Sequence, residues 1–114
     1  MSQECPMCGH RHIEGAIMRH LDDAEMRIDR GKASEEEFTT SYIVKRLDLN
    51  PGNCYRVVRG LVMNGMLEEL PKRRIKPHMV VPVYRLSDAG RAFCRELRAF
   101  DRAREHIDRL RGTQ

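Results

Sequence analysis

The chain has no apolar run long enough to cross a bilayer, and no signal-peptide pattern precedes its first motif. Neither membrane insertion nor export is expected, and the reading is cytoplasmic. A Gly-rich phosphate loop of the P-loop type is also missing. No Ser, Cys or Lys stands in an evident relay with a base and an orienting acid, so no enzymatic activity is expected. Cys5-x2-Cys8 has no thioredoxin-like strand–helix unit around it, which argues against a redox dithiol, and Gly9 stands where haem attachment requires His. Cysteine is too sparse for a disulfide scaffold: four in 114 residues favour a metal or buried thiols in a cytosolic chain. The length suits one core.

Charge is present and unevenly placed. Residues 1–50 hold 7 Lys or Arg against 10 Asp or Glu, whereas residues 51–114 hold 14 against 7. A basic second half points to a polyanionic partner.

The basic half opens on a helical pair. Thr40 can cap a short helix with apolar positions Ile43, Val44 and Leu47. Asn50-Pro51 restarts the chain, Asn as a favoured N-cap and Pro as a favoured first helical residue. The second helix carries Cys54, Val58, Leu61 and Val62 at helical spacing, and Asn64-Gly65 stops it. Two short helices joined by a tight turn read as a helix-turn-helix. Cys54, Val58 and Leu61 face inward, which leaves Gly52, Asn53, Tyr55, Arg56 and Arg59 outward. Such a face fits the major groove, where Arg pairs with guanine and Asn with adenine.

This region resembles the winged-helix transcription regulators of the MarR and PadR kind. The resemblance covers roughly residues 39–100. It rests on the helical pair, on the strand entry Gly65-Met66-Leu67, and on Tyr84-Arg85-Leu86-Ser87-Asp88-Ala89-Gly90, similar to the Tyr-x-Leu-Thr-x-x-Gly signature that ends the wing. It implies a DNA-binding regulator with a wing. Leu67 to Leu70 would begin one strand and Val80 to Leu86 return as its partner, with Pro82 suggesting an edge. Between them, Pro71 to His78 would form a loop whose Lys72, Arg73, Arg74 and Lys76 grip phosphate. Phe38-Thr39 would be the short first strand of that fold.

Residues 14–30 read as an amphipathic helix with Ile13, Ile17, Leu21, Ala24 and Ile28 on one face and Gly31 at its end. Ser34 and Glu37 have capping-box spacing, compatible with a short turn or an exposed acidic loop.

Ahead of it, residues 1–13 read as a zinc knuckle. Cys5 and Cys8 can grip one tetrahedral ion. The spacing Cys5-x2-Cys8-x11-His20 resembles the first three ligands of a Cys2His2 finger, but no second His follows at the finger's spacing. The candidate ligands are therefore Cys5, Cys8, His12 and His20, with His10 and Glu25 as alternatives for the open positions. Four protein ligands make one structural zinc per chain.

Ser87 can cap a last helix reaching about Arg111. Phe93, Leu97, Phe100, Ile107 and Leu110 recur at near-heptad spacing, and a helix this long outruns so small a domain. A homodimer is expected, partly because related regulators dimerise through added helices. Cys94 reads as a packed thiol beside that seam.

The sequence thus predicts an α+β, mainly α, winged helix-turn-helix in three parts: a zinc knuckle (1–13), a winged-helix domain (14–87) and a dimerisation helix (88–114). The expected partner is double-stranded DNA. Two alternatives are a non-regulatory nucleic-acid factor, associated with replication or RNA, and a winged-helix module that binds protein.

Overall fold

A computed structural model describes the backbone over residues 6–112 and the side chains over residues 13–112. The architecture is α+β and mainly helical. Helix α1 (Pro6–Ile28) leads through a 3-10 turn (Glu35–Phe38) to α2 (Thr40–Leu47) and α3 (Pro51–Met63). An antiparallel hairpin, β1 (Leu67–Lys76) and β2 (Met79–Leu86), follows, and α4 (Asp88–Gly112) closes the order. No helix among the described residues is long and apolar enough to cross a membrane.

Local chemistry sets most boundaries. The Thr39 hydroxyl accepts the Tyr42 N–H and donates to the Glu36 carbonyl, so Thr39 caps α2 while also closing the 3-10 turn. Thr40, the expected cap, is the first residue of α2. Phe38-Thr39, expected as a strand, belongs to this turn and cap, because Ser34 and Glu36 carbonyls draw the Glu37 and Thr39 N–H groups into a local turn. Asp48 ends α2 at φ 55, ψ 55, a left-handed conformation that Asp tolerates better than most residues. Asn50 accepts the Asn53 N–H, with Pro51 at the first helical position of α3. Gly65, at φ +79, follows the Asn64 end of α3.

The hairpin is longer than expected. Residues 71–76, read as loop, continue β1, and only Pro77 and His78 form the turn. Register shifts between Leu70 and Arg73, where Pro71-Lys72 oppose Pro82. Proline has no N–H for the ladder, so a bulge there costs little pairing and lets the strands resume beyond it.

One core joins these parts. From α1 come Ile17, Met18, Leu21 and Ala24, and from α3 Cys54, Val57, Val58 and Leu61. Phe38, Ile43, Leu67 and Leu86 close it from the remaining elements. Each Val, Leu, Ile, Met or Phe among them contributes on the order of 1.5–3 kcal/mol when fully buried. Polar bonds tie α1 to the rest. The buried Glu25 carboxylate accepts the Leu86 N–H at 2.9 Å and bonds Arg85 at 3.2 Å and Arg91 at 3.1 Å. Arg85 also stacks over the Phe38 ring, 4.7 Å from its centroid. Arg27 binds Glu37 through two nitrogens, at 2.6 and 3.1 Å.

Candidate nucleic-acid interface

The buried stripe of α3 turns Cys54, Val57, Val58 and Leu61 inward, which fixes what faces out. Asn53, Tyr55 and Arg56 are all exposed on the first two turns. Arg56 has no ion-pair partner among the described residues. Arg59, expected with them, instead forms a salt bridge with Glu69 of β1. Nearby, burial pushes the pKa of the Tyr84 hydroxyl up, with Glu69 and Tyr55 adding to the rise and Arg59 opposing it. Tyr55, Arg59, Glu69 and Tyr84 therefore mark the seam where α3 adjoins the base of the hairpin.

Lys72, Arg73, Arg74 and Lys76 are all exposed along β1. Two are engaged: Arg73 pairs with Glu35, and Lys76 lies 2.8 Å from Glu36. Arg74 donates to the Pro77 carbonyl at 3.2 Å. Lys72 has no partner among the described residues. These pairs are exposed, so each is worth under about 1 kcal/mol and yields readily to a competing anion.

Sequence reasoning overlooked Lys45 and Arg46, both exposed in the last turn of α2. Cations there complement the helix C-terminus, which gives them a structural reason as well. Arg46 also lines an open groove of about 490 Å³ between α1 and α2, with Arg19, His20, Asp23 and Arg27.

Of the expected metal ligands and their alternatives, only His20 and Glu25 have described side chains. Cys5 lies outside the described residues, and the side chains of Cys8, His10 and His12 likewise. Their backbone from Pro6 onward is the start of α1, not a separate loop. At 1.5 Å per residue, Cys8 and His20 stand about 18 Å apart along that helix, beyond the reach of one ion. His20 is buried, with Nε2 2.8 Å from the Glu37 carbonyl oxygen and its ring 5.7 Å from that of Tyr42. Glu25 is committed to Leu86, Arg85 and Arg91. Among the described residues no group of three or more His, Cys, Asp or Glu is arranged around a metal position.

Helix α4 presents two faces. One lies along α1: Arg91 bonds Glu25, the Cys94 thiol donates to the Met18 carbonyl at 3.5 Å, Arg98 lies 3.1 Å from Asp22, and Asp101 takes two 2.9 Å bonds from Arg19. Cys94 is thus a packed thiol, as expected, held in the core against α1. Leu97 packs at the core margin. The other face exposes Phe93 at 38%, Phe100 at 61%, Ile107 at 49% and Leu110 at 54%.

No protein-family model matches the chain, and no curated protein matches it with significance.

Proposed function

We propose that this chain is a winged-helix regulator that binds duplex DNA as a homodimer. In this reading α2 and α3 are the helix-turn-helix, with α3 entering the major groove, and the hairpin is the wing. The observation that carries it is the first half of α3: Asn53, Tyr55 and Arg56 all stand exposed there, close to a helix N-terminus that suits phosphate. The exposed cations of β1, with Lys45 and Arg46, supply a backbone-gripping surface around it.

Homodimerisation rests on the exposed apolar face of α4, on the side of the helix away from α1. Structural zinc remains part of the proposal in a narrower form. Cys5 and Cys8 would hold it with His12, one helical turn beyond Cys8, bracing the start of α1, with His20 and Glu25 released to the roles described above. The ion would supply a fixed cross-link and no chemistry.

A second reading is favoured by one specific observation. Arg59, Arg73 and Lys76 are each paired with a glutamate of the same chain, so the basic surface is partly self-neutralised. That suits a module that binds protein. Titration of labelled duplex DNA at several salt concentrations separates the two. DNA binding predicts a log affinity that falls linearly with log salt, by about 0.9 per phosphate contact. Absence of binding at low salt would leave the protein-binding reading.

A further inference from the structure

We infer that α4 pairs with α4 of a second copy in antiparallel register centred on Phe100. This rests on the homodimer reading and specifies its geometry. At 3.6 residues per turn, Arg91, Cys94, Arg98 and Asp101 form one stripe, the one bound to α1. Phe93, Phe100 and Ile107 form another on the far side, each a heptad from the next and each exposed. Among the described residues, α1 holds the opposite stripe and leaves this one exposed.

Apolar contacts alone do not choose the direction. Parallel helices would match Phe93, Phe100 and Ile107 with themselves. Antiparallel helices would match Phe93 with Ile107 across the pair and Phe100 with Phe100. The flanking charges choose. Glu96 and Arg104 border the stripe at equal distances on either side of Phe100. Both are exposed, and neither takes part in a salt bridge among the described residues. In a parallel pair Glu96 would face Glu96 and Arg104 would face Arg104. In the antiparallel pair each Glu96 faces an Arg104, twice by symmetry, at flanking positions that set orientation in helical pairs. Opposed helix dipoles favour the same direction.

The test is charge exchange read by sedimentation equilibrium. Glu96→Arg and Arg104→Glu, made singly, each create two like-charge pairs and are expected to weaken dimerisation about tenfold. Made together, they restore the pairs and are expected to return the dissociation constant to within about threefold of the original. Both residues are exposed, so folding, checked by circular dichroism, is expected to be unchanged. Singles that leave the constant unchanged would overturn the register, because a parallel pair only exchanges one like-charge contact for another. A double variant no better than the singles would overturn it equally. An unmodified protein that stays monomeric at tens of micromolar (roughly the range such interfaces fill) would instead remove the homodimer reading itself.

Discussion

Gly90 lies so close to Met66 that a Cβ built on it would stand 2.1 Å from the Met66 carbonyl oxygen. The same oxygen accepts the Ser87 N–H at 3.0 Å, while the Ser87 hydroxyl donates to the Gly65 carbonyl and accepts the Gly90 N–H. The strand entry at Gly65-Met66 and the helix entry at Ser87 to Gly90 are therefore one joint, which holds α4 against the start of the hairpin.

Gly90→Ala is expected to destabilise the fold by about 1–3 kcal/mol, because the obstacle is backbone and cannot turn aside. Gly60→Ala is the control. A Cβ at Gly60 meets nothing within 4 Å, and Ala is the better helix former by about 1 kcal/mol. Urea unfolding of both variants checks this, and equal effects would contradict the joint.

Acid should loosen the link between α1 and the 3-10 turn. The Arg27 guanidinium beside Glu37 holds its carboxyl below the usual range, against the opposing effect of burial. With the folded pKa below the unfolded one, this contribution is complete above the unfolded value, about 4.3. It is lost as pH falls through the folded value. Asp22 works in the other direction: burial pushes its pKa up despite Arg98, so its ionisation opposes folding and its protonation relieves that cost. Glu37→Gln is expected to cost about 1 kcal/mol at neutral pH and to flatten the loss of stability between neutral pH and the folded pKa. Denaturant midpoints measured across that range decide it. An acid limb as steep in the variant as in the original would sink the assignment.

The two core thiols should be inert. Burial pushes the pKa of Cys94 up to about 11 and raises that of Cys54, so both are protonated at neutral pH and screened from reagents. Alkylation followed by peptide mass mapping is expected to modify Cys54 and Cys94 only after denaturation. Rapid labelling of either in the folded protein would contradict its place in the core.

What was legible in the sequence was what local chemistry decides. Asn50-Pro51, Asn64-Gly65 and Ser87 mark their helix ends through bonds that span only a few residues. The inward stripe of α3 followed from helical spacing, although Val57 and, on α1, Met18 were not picked out with their neighbours. The extension of β1 through Arg73 and Lys76 was hidden because its residues are polar and exposed, and strand pairing there depends on β2. Phe38 was buried as an apolar residue should be, yet in a turn where a strand was expected. Glu25 was the least legible residue: nothing nearby in the chain shows that its carboxylate receives Leu86, Arg85 and Arg91. The start of α1 at Pro6 likewise changes which candidate metal ligands share a helix face.

The central claim is that α3 reads base sequence, and Arg56 tests it most directly. Selection from a randomised duplex library would first supply a preferred site. Titrations of the protein and of Arg56→Ala would then be run on that site and on a scrambled duplex. The account predicts a loss of about 1–3 kcal/mol on the preferred site and much less on the scrambled one. Neutralising Lys72, by contrast, should weaken both alike and lower the salt slope by about one unit. Equal losses on both duplexes for Arg56→Ala, or no preferred site at all, would contradict it.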